Sequence, residues 1–444
     1  MLAPDYKKNS LSLAGTVAMG TGVMIGAGIF ALTGQIAELS GSWFPAAFLA
    51  GAVVSAFSAY SYIKVSSRYP SSGGIAMILE RAYGKGTITG AAALLMAFSM
   101  IINESLVART FATYTLQLFG GGSGLIVSIL SVALVMFAFL MNISGNAVIG
   151  GFSKVMATAK VVGILLFAFA ALWAAGFAYE SGGTGETGSI GFLAAVALAV
   201  LAFKGFTTIT NSGGEVVNPT RNVGRAIVIS LAICLVVFMA VALAVGSALT
   251  VPQIAAARDY SLAEAARPVL GQAGLWFTVA VAIIATTSGI LASMFAVSRM
   301  LTMLTGMKLI PHSHFGMSGS IHRHLLVYTA VAAGLLAAFF DLSQIAALGA
   351  IFYLLMDIII HWGVLRHLRA DIGANPAVLL TAIALDAVVL VAFVATKASS
   401  NPSIVWIAVA GIAAMFSFEW IYLGRLRRDS ELASAHATRG HDPK

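Results

Sequence analysis

Long apolar runs recur from one end of this chain to the other, and most exceed the roughly 18 residues a helix needs to cross a bilayer. Charged residues make up only 9% of the 444 positions, whereas a soluble domain carries about a quarter. A length that would allow about three soluble domains therefore reads as one membrane-embedded unit over 1–444. Spans are expected roughly at 13–37, 43–66, 86–119, 124–143, 151–177, 190–215, 225–249, 271–305, 324–341, 343–365, 376–396 and 402–424, each near the ~20 residues that cross as a helix. Twelve is even, so both termini are expected on one side. Nineteen of the 25 Lys and Arg fall on the loops and tails of that side, from Lys7 and Lys8 to Arg439 and Lys444. Three, Arg258, Arg267 and Lys397, fall on the other, which predicts cytoplasmic termini in a cell membrane. The net charge of +8 is thereby topogenic, and no nucleic-acid partner is implied.

Cys234 is the single cysteine, which rules out a disulfide framework and a paired-cysteine metal site. The stretch from Met1 to Ser10 is polar and short, and the run behind it is too long and glycine-rich for a cleaved secretory leader. Two connections read as more than linkers. Residues 250–270 predict a short external surface helix that acts as a lid, and Ile75–Tyr83, after the breaker Pro70-Ser-Ser-Gly-Gly, predicts an amphipathic helix across the cytoplasmic entrance.

Apolar residues in a spanning helix need no explanation; broken helices and buried charges do. The first span contains Gly20-Thr-Gly-Val-Met-Ile-Gly-Ala-Gly-Ile-Phe30. Glycines at 22, 26 and 28 either let the helix unwind, freeing amides and carbonyls to hold a zwitterion, or form a G-x-x-x-G packing face. The sixth span carries Phe203-Lys-Gly-Phe-Thr-Thr-Ile-Thr-Asn at mid-membrane, a composition unsuited to a lipid-facing helix. Interrupted spans at the first place of each group of five point to an inverted-repeat transporter.

These segments, with Asn218-Pro-Thr-Arg-Asn-Val-Gly-Arg-Ala-Ile227 and Ser288-Gly…Ser298-Arg…Pro311, resemble the amino acid–polyamine–organocation permeases, most closely the proton-coupled bacterial and archaeal amino acid transporters, from about residue 10 to about 365. The resemblance implies an all-α integral membrane LeuT-like fold of twelve transmembrane helices, spans 1–5 and 6–10 related by inversion and spans 11 and 12 (376–424) appended before a cytoplasmic tail at 425–444. It implies an amino acid bound between broken spans 1 and 6, lined by Met24, Ile25, Gly26, Ala27 and Gly28 and by Phe203, Lys204, Gly205 and Phe206. Two departures stand out: Thr207 lies where several proton-dependent relatives have a carboxylate, and Ala27 where some have serine.

Six charges fall inside the runs: Lys160, Lys204, Arg109, Glu104, Asp357 and Asp386. Three of each sign predict internal pairing, because an unpaired charge in hydrocarbon is strongly disfavoured. Lys160 lies six residues past Lys154, about 9 Å deeper at 1.5 Å per residue. By the resemblance it occupies the place where sodium-coupled relatives hold an ion, near the first break and the hydroxyls of Thr287 and Ser288. It is either a proton-coupling group or a fixed strut. Glu104 has two readings also: an ion pair with Lys204 or Lys160, or, by the resemblance, a contact that reads a basic substrate side chain. Asp357 and His361 share a helix face, with His361 expected near the hydrated cytoplasmic end; Asp386 has no assigned role. The imidazoles of His312, His314, His322 and His324 match no metal frame, so neither metal nor cofactor is expected.

No nucleophile–His–carboxylate group or phosphate loop shares a common depth, which argues against an enzyme. The expected function is secondary active, proton-coupled, sodium-independent amino acid transport by alternating access. Polyamine transport, exchange, a channel and a non-transporting amino acid sensor compete with it.

Overall fold

The computed structural model describes residues 9–71, 74–143, 146–179, 188–310 and 321–439. Those residues are helical almost throughout and form no strand; the one β-type pairing joins Leu11 to Val216. Nine of the described helices are long and apolar enough to cross a membrane, and three shorter apolar ones accompany them.

In chain order the helices are α1 (Leu13–Val23), α2 (Thr33–Ser40), α3 (Phe44–Arg68), α4 (Gly74–Tyr83), α5 (Thr87–Leu116), α6 (Gly124–Ile143), α7 (Asn146–Ala174) and α8 (Ser189–Phe203). They continue as α9 (Thr207–Asn211), α10 (Pro219–Ala248), α11 (Val251–Ala256), α12 (Ser261–Gly306), α13 (Ile321–Phe339), α14 (Leu342–Gly363), α15 (Pro376–Ser400) and α16 (Pro402–Arg439). Local chemistry sets many of the starts. Proline occupies the first turn of α3, α10, α11, α15 and α16, where its missing N–H costs nothing. Ser12 Oγ accepts from Gly15 N at 3.2 Å to cap α1. Asp341 and Gln344 exchange side-chain and backbone hydrogen bonds, 2.8 and 3.0 Å, at the start of α14, a reciprocal capping box.

Burial orders the bundle. The apolar stretch of α5 is 83% buried and those of α14 and the α8 segment 78%, whereas α6 and α16 reach only 22%. The first three form the centre and the last two face outward. The expected external segment is helical as α11 and the first turns of α12, which breaks at Gly271, where φ is +61°. Its Arg258 bonds Glu38 of α2 at 2.6 Å, so this segment is fastened to the end of the first span. At the opposite end, α4 sits where a helix was expected: Ile75 N donates to Asn211 Oδ1 at 3.2 Å, and Tyr83 Oη donates to the Ile359 carbonyl at 2.6 Å. There Leu11 exchanges backbone bonds with Glu215 O (3.0 Å) and Val217 N (2.9 Å), and Arg299 of α12 grips Glu215 with two bonds of 2.7 and 3.1 Å. Both ends of the first span, and the 211–215 end of the second, are thus tied down. α16 runs on to Arg439, well beyond the expected end at 424, through a charged stretch of good helix formers.

Candidate substrate and coupling site

Of the two interruptions predicted from glycine and polar residues, the first is present as non-helical backbone and the second as a 3₁₀ tightening, and the two lie against each other. Between α1 and α2 the chain makes a wide turn over Met24–Gly28, with non-helical backbone at Ile25 (φ −84°, ψ 72°) and Gly26 (φ −161°, ψ −108°). Between α8 and α9 it tightens into a 3₁₀ turn over Lys204–Phe206. Glycine is required where they touch. A Cβ on Gly28 would lie 2.9 Å from the Ala202 carbonyl oxygen, and one on Gly205 would lie 2.6 Å from Met24 Cγ and 2.9 Å from Met24 N. Backbone therefore meets backbone at the crossing, the close approach that the packing reading of these glycines gives, while the non-helical Ile25 and Gly26 are what the unwinding reading gives.

Met24, Ile25, Gly26, Gly28, Phe203, Gly205 and Phe206 are all buried at this crossing, and Ala27 lies in the same turn of chain. Lys204 belongs to the second turn, but its side chain is engaged elsewhere. Its Nζ donates to the Ser99 carbonyl at 2.9 Å and lies 3.0 Å from Ser99 Oγ on α5, with the Tyr353 ring centroid 5.8 Å away. Glu104, also on α5, is fully buried. Ser293 Oγ of α12 lies 3.5 Å from its Oε1, and Oε2 has no hydrogen-bond partner among the described residues. The ion pair with Lys204 or Lys160 entertained from the sequence does not form: no cation of the described residues lies within 4.0 Å of the Glu104 carboxylate.

Lys160 on α7 reaches the first interruption from the side. Its Nζ donates to the Gly22 carbonyl at 2.5 Å and lies 3.3 Å from Ser288 Oγ on α12. Gly22 sits in the last turn of α1, where carbonyls lack intrahelical partners, so an ammonium fills that vacancy. Thr287 is half-buried beside Ser288, with no hydrogen bond to Lys160. Cys234 of α10 also lies within electrostatic reach of the ammonium, a neighbour that an apolar run gives no reason to single out.

Arg109 lies towards the C-terminal end of α5. It donates to the Ala337 carbonyl at 2.7 Å and helps line a polar cavity of about 430 Å³ with Gln117, Asp259, Tyr260 and Asp341. One expectation is corrected outright: His361 is not hydrated but fully buried, held between Asp357, Asp386 and Ser61. Of the His-rich loop, His312 and His314 lie outside the described residues, and His324 is buried.

An amino acid permease family model matches residues 11–415. The chain belongs to the amino acid permease family. It is a transport protein of amino acid type in a multi-pass membrane setting, and not an enzyme. Membership bears out the resemblance carried by the 22–30 and 205–227 segments. The permease is 29% identical to the inner membrane transport protein YbaT of Escherichia coli over 403 residues, 89% of this chain and 93% of that one. An uncharacterized protein of Methanocaldococcus jannaschii is 31% identical over 271 residues, 61% of this chain and 62% of its own. The vacuolar cationic amino acid transporter 2 of Arabidopsis thaliana is 27% identical over 363 residues, 76% of this permease and 56% of that longer protein.

Proposed function

We propose that this permease is a secondary active amino acid carrier, proton-coupled and independent of sodium, working by alternating access. In this reading twelve spans form a LeuT-like fold, with an inverted-repeat core at 10–365, two added helices at 376–424 and a tail at 425–444. Both termini face the cytoplasm of a cell membrane, as the basic loops suggest. The observation that carries it is the pair of interruptions packed side by side, with the Lys160 ammonium on the Gly22 carbonyl beside the first of them. Backbone groups released at Ile25 and Gly26 are available to a substrate's carboxylate and ammonium. Met24, Gly28, Phe203, Gly205 and Phe206 shape the surrounding surface.

Coupling follows from what Lys160 touches. A protonated ammonium between Gly22 O and Ser288 Oγ does electrostatically what a bound monovalent cation would do there, which removes the need for sodium. Loss of the proton removes the charge and weakens both contacts, freeing the end of α1 to move. Reconstituted vesicles test this. The unmodified protein is expected to accumulate amino acid in response to an inward proton gradient without sodium, and Lys160→Ala to lose accumulation while keeping some binding. Sodium-dependent accumulation, or an unaltered pH dependence in Lys160→Ala, refutes it. Current without saturation would instead indicate a channel, and binding without movement of label a sensor.

A narrower reading, a cationic amino acid or polyamine as substrate, is favoured by one observation: a buried Glu104 carboxylate oxygen with no partner among the described residues. The name of the Arabidopsis relative is in keeping with it.

A further inference from the structure

Away from the two interruptions, α14 and α15 bring together three ionisable side chains that the transport reading does not use. Asp357 and His361 stand one turn apart on α14, and Asp386 meets them from α15. His361 Nε2 lies 3.6 Å from Asp357 Oδ2 and 3.3 Å from Asp386 Oδ2, and all three side chains are fully buried.

The two carboxylates are not equivalent. Asp357 accepts from Ser58 Oγ at 2.5 Å and from the Tyr62 hydroxyl, both on α3. Neither oxygen of Asp386 has a hydrogen-bond partner of good geometry among the described residues, and the polar atom recorded near it is His361 Nε2, 3.3 Å from Oδ2. His361 is held from behind, with Nδ1 2.8 Å from Ser61 Oγ. The titratable groups on the surrounding elements do not balance this charge. Tyr62 on α3 and Tyr353 on α14 are neutral phenols, and Lys204 stands beyond the Tyr353 ring at 5.8 Å from its centroid. The α8 stretch packed on both helices carries no ionisable residue. On α5, Glu104 is turned to Ser293; on α16, Glu419 lies against Gly90; Tyr83 of α4 bonds the Ile359 carbonyl and meets the ring of His367. Two anions and a neutral imidazole, all fully buried, leave an uncompensated buried charge, the arrangement membrane interiors tolerate least.

We propose that Asp357, His361 and Asp386 form a proton-binding site in which His361 and Asp386 share the proton and Asp357 is the fixed anion. One proton makes the His361–Asp386 pair neutral overall and leaves a single negative charge at Asp357, where two hydroxyls already solvate it. The site is one side chain from the second interruption. The Tyr62 ring packs edge-on against Phe206 at 5.4 Å and against the His361 ring at 6.1 Å, while its hydroxyl holds Asp357. Gain or loss of the proton is thereby felt at the Lys204–Phe206 turn. That consequence rests on the carrier reading; proton binding itself does not.

The test is infrared spectroscopy of the full-length protein in lipid vesicles, labelled on the aspartate carboxyl carbon, across the pH range in which it stays folded. A carbonyl band from a protonated, buried aspartate is expected, lost in Asp386→Asn and retained in Lys160→Ala. His361→Gln, which keeps a polar side chain, should shift the band or the pH at which it vanishes, and it serves if Asp386→Asn does not fold. Absence of the band at every pH, or a band unmoved by both variants, overturns the proposal. So does one equivalent of zinc copurifying with the protein and lost in Asp386→Asn, since the same three ligands could hold a divalent metal instead. A band that behaves as expected in a protein that binds but does not move amino acid would sink the carrier reading alone.

Discussion

Gly28→Ala probes the contact between the two interruptions with a single methyl group. The added carbon would sit 2.9 Å from the Ala202 carbonyl oxygen, 3.2 Å from its Cα and 3.3 Å from its Cβ. All belong to the last turn of α8 before the second interruption, so relief requires moving backbone rather than turning a side chain. Overpacking of this kind costs about 1–3 kcal/mol. If the crossing forms the substrate site, that energy is drawn from the arrangement that binds, and affinity falls by about 5- to 150-fold at 1.4 kcal/mol per decade. Gly205→Ala should act in the same direction, through Met24 Cγ and N. Gly289→Ala is the control: it lies on α12 one residue past Ser288, and its Cβ would find only Val107 Cγ1 at 3.9 Å. Its helix should be unchanged or slightly more stable, since alanine favours helix by about 0.5–1 kcal/mol over glycine. Ligand-induced thermal shift and radioligand binding on the purified protein, across a panel of amino acids, give both numbers. Unaltered affinity and midpoint in Gly28→Ala would mean that the crossing is looser than described and that the pocket lies elsewhere.

Glu104→Gln should weaken lysine- and arginine-like ligands at least ten-fold more than neutral amino acids if its carboxylate reads a cationic side chain, measured by competition binding; equal loss for all ligands refutes that role. In the turn between α11 and α12, burial pushes the Asp259 carboxyl above its ordinary range, against the pull of Arg258 and with help from Asp341 and Glu38. The folded state then holds the proton more tightly than the unfolded chain, so stability is full in acid and declines as pH rises through the raised value. Asp259→Asn should accordingly raise the thermal midpoint at neutral pH and leave it unchanged below about pH 4, and a variant that lowers the midpoint at neutral pH would contradict this.

Much of this protein is set by local sequence. Apolar runs longer than a bilayer's thickness demand helices, proline and capping residues place many of their starts, and Gly22-Val-Met-Ile-Gly-Ala-Gly28 and Phe203-Lys-Gly-Phe206 mark where one of them breaks and another tightens into a 3₁₀ turn. Lys160 is conspicuous because a charge six residues past the boundary is expensive wherever it points, and depth is readable from rise alone. What a charge pairs with is another matter. Lys204 and Glu104 look like partners on composition, yet one bonds Ser99 and the other faces Ser293. His361 reads as hydrated from its place near a helix end, and Asp386 reads as an isolated charge in an added helix. Packing of α3, α14 and α15 turns them into one buried cluster whose members lie up to 328 positions apart in the chain, from Ser58 to Asp386. Helix formation and membrane insertion depend on residues within a turn or two of each other, so sequence carries them. Which faces meet is decided by how whole helices pack, and that is fixed by shape summed over the bundle rather than by any one segment.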